Sequence, residues 1–197
     1  MNKIWFTSDH HFFHRNILKH ENRPFDSVEE MNEYLIDKWN EHVEQNDIVY
    51  HMGDIVWGGY DRWKEVLPRL NGEIHLILGN HDKSNVAYRM RKEGYLKEVY
   101  EVGHRLKVGK HLLWLSHYPM EIGLRLRKWS ICGHIHSKPT SYMNQINVGI
   151  DSKTFHYKPF GTPIHIAELE ALLVWRTNKI DEQHSYEGEH INYLFEE

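Results

Sequence analysis

The chain has 197 residues, 40% of them hydrophobic and 26% charged, which suits one soluble globular domain with a hydrophobic core. Its formal net charge is −4, so the sequence lacks the basic footprint that binding of long nucleic acid needs, and no stretch approaches the roughly 20 apolar residues that span a bilayer. The single cysteine, Cys132, cannot form an internal disulfide, which favours a cytoplasmic location.

The first half of the chain predicts β-strands that alternate with α-helices. Strands are predicted at residues 3–8, 47–52 and 73–78, and helices at 27–43, 60–70 and 85–92. Ser27 and Glu30 have the spacing of a capping box at the start of the first helix. The order strand-helix-strand-helix-strand implies parallel strands joined by right-handed crossovers.

The second half has the pattern of short strands, which implies a second, mixed or antiparallel sheet. These are predicted at residues 96–102, 104–108, 110–115, 128–132 and 145–148, with a hairpin turn at Gly109, and a helix is predicted at 163–173. We therefore expect an α/β fold, a four-layer αββα sandwich in which two facing mixed β-sheets are flanked by helices. A single domain is expected over residues 1–178, and the polar, acidic residues 179–197 are expected to form a loosely packed C-terminal tail.

Five predicted strands end in side chains that can bind metal ions or transfer protons. The strand ends are Asp9-His10-His11, Gly53-Asp54, Asn80-His81-Asp82, Ser116-His117 and His134-Ile135-His136. Ligands of open α/β sheets bind beyond the carboxyl ends of the strands, so these ends are expected to converge on one site. One such motif is as typical of a turn as of a site, but five in succession favour a metal site. Mixed imidazole and carboxylate ligands suit Mn, Fe, Zn or Ni better than Ca or Mg, and seven ligands fit two ions.

The order D-x-H, G-D, G-N-H-D, H and G-H-x-H, from Asp9 to His136, resembles the calcineurin-like metallophosphoesterase superfamily. The segments SDHHFFHRNI and NVGIDSKTFHYKPF resemble a small bacterial and phage branch of it. The resemblance implies one metal ion held by Asp9, His11, Asp54 and His136, and a second held by Asp54, Asn80, His117 and His134. It also implies that Asp54 bridges the two ions, and that His81 is the catalytic histidine with Asp82 as its partner.

The chemistry that this resemblance implies is hydrolysis of a phosphate ester by two divalent ions, with Mn favoured and Fe, Zn or Ni as alternatives. Such ions would deprotonate a bridging water and polarise the phosphoryl oxygens, and His81 would act as general acid. The residues after Asp54 lack the further Asp-Arg-Gly of the protein phosphatases in this superfamily, so a phosphodiesterase is favoured, with a nucleotide as one plausible substrate. The alternatives are a phosphomonoesterase or nucleotide phosphatase, a nuclease of the repair type, and a catalytically silent metal-binding scaffold. The short chain leaves room for an oligomer in which a partner subunit completes the site.

Three further residues are candidates to contact the substrate. His14 and Arg15 lie just beyond the first ligands, and Tyr118 directly follows His117. An arginine in this position could clamp a phosphate group, and a surface charge is the alternative. Packing is the alternative for Tyr118.

Three neighbouring residues are interpreted without a role in the site. His10 lies between two ligands in a strand-like alternation, so it is expected to point away from the metal ions. A turn role is favoured for Asp151 over a place at the rim of the site. A surface role is favoured for Lys138 over contact with phosphate.

Overall fold

The computed structural model describes residues 2–193, with side chains described up to Glu182. The described residues form the strands β1 (Ile4–Thr7), β2 (Ile48–His51), β3 (Glu73–Ile77), β4 (Glu98–Tyr100), β5 (Gly103–Val108), β6 (His111–Ser116), β7 (Lys128–Cys132), β8 (Gln145–Asn147) and β9 (Ile164–His165). They form the helices α1 (Ile17–His20), α2 (Val28–His42), α3 (Tyr60–Val66), α4 (Ser84–Lys92) and α5 (Ile166–Tyr193). Within this described part, no helix is both long and apolar enough to cross a membrane.

The strands form two mixed sheets. The first has the order β4-β3-β2-β1-β9, in which β1 to β4 are parallel and β9 is antiparallel to β1. The second has the order β5-β6-β7-β8, in which β5 and β6 form the predicted hairpin and β6 to β8 are parallel. A parallel bridge joins Ser8, just after β1, to Gly149, just after β8. The carboxyl ends of β1 and β8 therefore meet, although the two strands belong to different sheets.

The two-residue period of the strands separates two apolar clusters. Trp5 and Val49 pack with buried residues of α2, α3 and α4, whereas their neighbours Phe6 and Tyr50 pack with residues of the second sheet. The first sheet thus has helices on one face and the second sheet on the other, and residues of α5 pack in the same apolar cluster as the second sheet. The predicted sandwich of two facing mixed sheets flanked by helices is confirmed.

The start of α2 shows the predicted cap. The Ser27 hydroxyl accepts a hydrogen bond from the Glu30 backbone N–H at 3.1 Å. The Glu30 carboxylate accepts in return from the N–H of Asp26 at 2.9 Å, one residue earlier than a standard capping box. This helix packs against the first sheet and leads the chain into β2.

The prediction for residues 96–102 was wrong in its sheet. Only Glu98–Tyr100 form a strand, and that strand pairs in parallel with β3 in the first sheet. The physical reason is α4, which lies between the two strands and returns the chain in the same direction, as α2 and α3 do before it. The second sheet therefore begins with β5.

The predicted helix at 163–173 begins later and ends later. Ile164 and His165 pair with β1 as an edge strand, so the helix begins at Ile166. It continues past residue 173 to Tyr193, since no glycine or proline interrupts residues 164–182 and Ile180 is fully buried. The packing of the predicted tail after Glu182 lies outside the described side chains, and the domain boundary at residue 178 stays a prediction.

Candidate metal centre

Loops after β1, β2, β3, β6 and β7 bring the predicted ligands together. Asp9, His11 and His136 each offer a ligand atom within 4.8 Å of the others, and so do Asp9, Asp54 and His117. The Oδ2 atom of Asp54 lies 3.5 Å from Nε2 of His11 and 3.5 Å from Nε2 of His117. One carboxylate oxygen therefore stands between histidines of the two expected ligand sets.

The remaining expected ligands surround His117. Oδ1 of Asn80 lies 2.9 Å from Nε2 of His117 and 3.0 Å from Nδ1 of His134. The two ring nitrogens are themselves 3.2 Å apart. Three donor atoms from three different loops thus converge within about one hydrogen-bond length of each other. All seven residues that the sequence singled out as ligands lie in this one centre.

His11 provides a test of whether the centre fits a metal ion. Both of its ring nitrogens are buried and lack a hydrogen-bond partner among the described residues. An unsatisfied buried polar group costs about 1–3 kcal/mol, so such groups are rare without a ligand. Burial also lowers the pKa of His11, and the nearby charge of Arg23 lowers it further, so that the imidazole stays neutral. A neutral, unpartnered imidazole beside carboxylates fits a divalent metal ion.

The backbone at these residues is unusual. Five of the seven expected ligands have positive φ angles: Asp9 (61°), His11 (51°), Asp54 (57°), His134 (67°) and His136 (49°). The left-handed region is uncommon for residues other than glycine, although Asp and His enter it more readily than most. Such conformations cost of order 1–3 kcal/mol each and cluster at functional sites. The fold therefore holds the ligand loops in conformations that local preference disfavours.

Two glycines are required by the closeness of the carboxylates of Asp54 and Asp9. A Cβ atom at Gly79 would lie 2.1 Å from Oδ1 of Asp54, and one at Gly133 would lie 2.4 Å from Oδ2 of Asp9. Neither glycine has a positive φ, so a left-handed backbone conformation is not the reason for them. Their role is to let the backbone approach the carboxylates.

Hydrogen bonds orient two of the expected histidine ligands. Nδ1 of His117 lies 2.7 Å from the Met52 carbonyl, which can only accept, so Nδ1 carries the proton and Nε2 has its lone pair free. Nδ1 of His136 lies 2.8 Å from Oδ2 of Asp151, which likewise leaves Nε2 free toward Asp9. Partners of this kind fix the tautomer of a metal-ligating histidine.

Asp151 and Arg23 are parts of the centre that the sequence interpretation missed. Nε and Nη2 of Arg23 donate to the two carboxylate oxygens of Asp151 at 3.0 and 2.8 Å. The same guanidinium donates to the carbonyls of Asp9 (2.7 Å) and His10 (2.8 Å). Burial opposes ionisation of Asp151, but the hydrogen bond from His136 and the charge of Arg23 hold its pKa below the usual value.

A signal for Asp151 was present in the sequence, but none was present for Arg23. Asp151 follows the predicted strand 145–148 much as the expected ligands follow theirs, so the strand-end argument extends to it. The turn role that the sequence favoured for Asp151 is therefore incomplete, because its carboxylate faces His136. Arg23 lies in the polar segment ENRPF, where nothing distinguishes it from a surface charge.

His10 points away from the centre, as expected. It is fully buried, and its Nδ1 lies 3.0 Å from Nε2 of His51. His51 accepts the Gly53 N–H at its Nδ1, so its Nε2 carries the proton and donates to His10. Burial lowers the pKa of His10 to about 3, and both rings are neutral. The pair connects the loop after β1 with the last residue of β2.

His81 lies at the edge of the centre. Its backbone N–H donates to Oδ1 of Asp54 at 2.8 Å. Its ring centre lies 4.7 Å from that of Trp57 and 5.5 Å from that of His11. The side chain is exposed, in contrast to the buried ring of His11. It is therefore the most exposed imidazole of the centre.

The expected contact between Asp82 and His81 is replaced by another. Both carboxylate oxygens of Asp82 accept backbone N–H groups, from Asp54 (2.7 Å), Gly79 (2.9 Å) and Ile55 (3.1 Å). Burial and the Asp54 carboxylate raise the pKa of Asp82 to about 7, and the three N–H groups oppose this shift. The hydrogen bonds of the Asp82 carboxylate thus connect the loop after β3 with the loop after β2.

The three candidate substrate contacts differ in position. The His14 ring stacks on Trp57 with centres 4.0 Å apart and planes 6° apart, and it lies 6.1 Å from His81. Tyr118 is 53% exposed, with its ring 4.5 Å from His134, so it lies at the rim of the centre. Arg15 is exposed and lies 3.8 Å from a Glu29 carboxylate oxygen instead. The structure brings His14 and Tyr118 to the centre but does not bring Arg15 there.

Comparison with known proteins covers the same stretch of chain. The model of one family, described as calcineurin-like phosphoesterase, matches residues 2–149. The chain is 35% identical over 185 residues to the uncharacterized protein MJ1445 of Methanocaldococcus jannaschii, which covers 90% of this chain and 97% of that protein. It is 30% identical over 182 residues to the gene 66 protein of Mycobacterium phage D29, covering 77% of this chain and 89% of that protein. Among solved structures, the protein of unknown function AQ665 from Aquifex aeolicus is similar with a TM-score of 0.68 and 25% identity, over 87% of this chain and 100% of that one.

Proposed function

This chain belongs to the calcineurin-like phosphoesterase family, and from that premise we propose that it is a two-metal phosphodiesterase. The family consists of divalent-metal-dependent enzymes that hydrolyse phosphate esters, so the general reaction follows from membership. The number of ions, their identity and the preference for diesters are the proposal. A nucleotide or a similar ester is the proposed substrate class.

The position of Asp54 is the observation that carries the proposal of two ions. One of its oxygens lies 3.5 Å from Nε2 of both His11 and His117, which come from separate loops. A bridging carboxylate needs this kind of position. We propose that Asp9, His11, Asp54 and His136 hold one ion and that Asp54, Asn80, His117 and His134 hold the other. Manganese is favoured because nitrogen and oxygen donors are mixed and no thiolate takes part, and Fe, Zn and Ni are the alternatives.

The ions, when bound, would acidify a water molecule and neutralise charge on the phosphoryl oxygens. The chain itself would supply the proton for the leaving group. His81 is exposed beside the centre, with its backbone N–H fixed on Asp54 and its ring against Trp57, so it is the proposed general acid. His14 stacks on Trp57 as well, and this contact would help to keep the His81 ring in place.

The open rim supports a diester over a monoester. Asn80, His81 and Tyr118 are all exposed, which leaves room for a second ester group. A monoester dianion carries one more negative charge than a diester, and the predicted phosphate clamp Arg15 lies against Glu29 instead. Two further proposals rest on the amino-acid composition. The lone buried Cys132 fits a cytoplasmic location, and the net charge of −4 makes long nucleic acid an unexpected substrate.

The test compares two model esters on metal-stripped protein to which Mn²⁺ is restored. We expect turnover of bis(4-nitrophenyl) phosphate to exceed that of 4-nitrophenyl phosphate. His81→Ala is expected to lower the diester rate about a hundredfold or more while bound manganese is unchanged. His156→Ala, which removes an exposed histidine outside the ligand sets, is the matched control and is expected to keep the rate.

The other outcomes identify the alternatives. Turnover of the monoester alone would make the protein a phosphomonoesterase. Two firmly bound ions without turnover of either ester would favour the metal-binding scaffold. A diester rate that His81→Ala leaves intact would remove this histidine from the proposed mechanism.

A further inference from the structure

A cavity of about 410 Å³ lies beside the metal centre and is built on two of its loops. Ser137 and Lys138, which directly follow His136, form part of its lining. Ser152 and Lys153, which directly follow Asp151, form another part. Since His136 and Asp151 are hydrogen-bonded to each other, the cavity adjoins the wall of the metal centre. Its volume is in the range of small-molecule sites.

The lining of this cavity is cationic and rich in hydroxyl groups. The cations are Lys138, Lys153 and Arg176, and the hydroxyl groups are those of Ser137, Thr140, Ser152 and Thr154. Asn147 and Pro139 complete the lining, so no carboxylate contributes to it. Neither lysine forms an ion pair with any residue in the part of the chain that the structure describes. Three positive charges thus face one space without a negative charge.

Arg176 is the most informative of the three cations. Its Nη1 donates to the carbonyls of Met143 (2.8 Å) and Gln145 (2.6 Å), which fixes the guanidinium against β8. Burial lowers its pKa, and among the described residues no carboxylate pairs with it. By contrast, the buried Arg23 has a bidentate carboxylate partner in Asp151. A partly buried cation without an anion is unfavourable, which indicates that the missing partner of Arg176 is a ligand.

We propose that this cavity is an anion-binding subsite that takes a phosphate group. Phosphate oxygens in proteins are bound by arginine, lysine and hydroxyl groups. The cavity offers all three, and its arginine is fixed in place by the bonds from Nη1 to backbone carbonyls. The phosphate group could come from two sources, which share this chemistry. It is either a second, non-reacting phosphate of the substrate or a free phosphate or pyrophosphate anion that binds separately. The first alternative rests on the proposed function.

The direct test measures pyrophosphate binding by calorimetry at low ionic strength on the metal-free full chain, so that metal ions do not contribute. We expect binding by the natural protein and at least about tenfold weaker binding by the double variant Lys138→Met, Lys153→Met. Both lysines are exposed and unpaired, so the variant is expected to fold. Arg176→Gln is avoided as the first variant because it would also remove the bonds to β8.

The matched control removes two positive charges at a surface away from the cavity. Lys107 and Lys110 are exposed at the β5–β6 hairpin, at the other end of β6 from His117. The double variant Lys107→Met, Lys110→Met is expected to bind pyrophosphate as the natural protein does. Equal losses in the two double variants would show only a general charge effect and would overturn the proposal. Absence of binding by the natural protein would overturn it as well.

A second arm separates the two sources of phosphate. The dinucleotide pApA carries a 5′-phosphate that ApA lacks, and each is titrated into the metal-free and the Mn²⁺-loaded His81→Ala protein. If one substrate uses both sites, Mn²⁺ is expected to raise the affinity for pApA more than tenfold. The double variant Lys138→Met, Lys153→Met is expected to lose this increase in affinity. If the anion binds separately, Mn²⁺ leaves the affinity for pApA unchanged. The pyrophosphate result stands in either case, because it requires no turnover.

Discussion

The carboxylate of Asp151 lies 2.8 Å from Nδ1 of His136, and this contact leaves Nε2 of the histidine free toward Asp9. Arg23 holds the carboxylate from the other side with two hydrogen bonds. The side chains of Arg23 and Asp151 are 0% and 3% exposed, so water does not compete for these bonds. The expected ligand is therefore oriented before any ion binds.

The first prediction concerns this orientation. Asp151→Asn keeps an acceptor for His136 but loses the charge, and Asp151→Ala loses both. We expect Mn²⁺ affinity to fall about 10- to 100-fold for Asp151→Ala. The affinity of Asp151→Asn is expected to lie between those of Asp151→Ala and the natural protein. Calorimetric titration of Mn²⁺ measures this, with the exposed Asp61→Asn as control. Equal affinity of all four proteins would contradict the role assigned to Asp151.

The second prediction concerns metal removal. The unsatisfied nitrogens of His11 and the left-handed conformation of five expected ligands are expected to destabilise the centre without ions. A ligand at 100 times its Kd raises the free energy of unfolding by about 2.7 kcal/mol, so Mn²⁺ should raise Tm over the EDTA-treated protein. His11→Ala is expected to lose most of this increase. A shift in Tm that is the same in His11→Ala as in the natural protein would remove this histidine from the ligand set.

The third prediction concerns Trp57, whose ring contacts the rings of both His14 and His81. Trp57→Ala should leave the His81 ring without its support. Small displacements of a general acid are costly, and His81 is the proposed general acid, so we expect diester turnover to fall about ten- to a hundredfold, with bound manganese unchanged. Trp57→Phe keeps an aromatic surface and should recover part of the rate. If kcat is unaffected in Trp57→Ala, the ring has no positioning role.

The fourth prediction concerns Gly133. A methyl group there would lie 2.0 Å from the Ser8 hydroxyl and 2.4 Å from Oδ2 of Asp9. We expect Gly133→Ala to lower the free energy of unfolding by about 1–3 kcal/mol and to weaken metal binding. Gly59 has an ordinary φ and open space around the position of a Cβ, so Gly59→Ala is the control. Chemical denaturation measures the free energy of unfolding of both variants, and titration measures their metal affinity. Equal values for Gly133→Ala and Gly59→Ala would contradict the prediction.

The fifth prediction concerns Cys132. Burial raises the pKa of its thiol to about 12, so the reactive thiolate is scarce near neutral pH. We expect Ellman's reagent to modify the thiol only as fast as the protein opens, and rapidly after unfolding in guanidinium. Rapid modification of the native protein at pH 8 would contradict the buried position.

The strand ends were predictable because their signal is local. A buried apolar run followed by Asp, His or Asn can be read within ten residues, and Asp9, Asp54 and His117 were found in this way. The common edge of parallel strands then predicts that they meet. The capping of α2 by Ser27 has the same local character.

What the sequence did not predict depends on contacts between distant residues. Glu98–Tyr100 has no local feature that assigns it to the first sheet rather than the second. The carboxylate of Asp82 was assigned to its neighbour His81, but the backbone N–H groups of Asp54 and Ile55 come from a loop far away in the chain. Arg23 acquires its role only when the segment after β8 lies against it.

The bond between Arg23 and Asp151 spans 128 positions of the chain, and it has a consequence for biosynthesis. A chain that is still emerging from the ribosome lacks the oriented His136 until residue 151 has been made and has left the exit tunnel. Domains dominated by such distant and parallel pairings fold slowly. Metal acquisition is therefore expected to be nearly the last event in maturation, and truncated nascent chains should not compete for the cell's supply of free divalent ions.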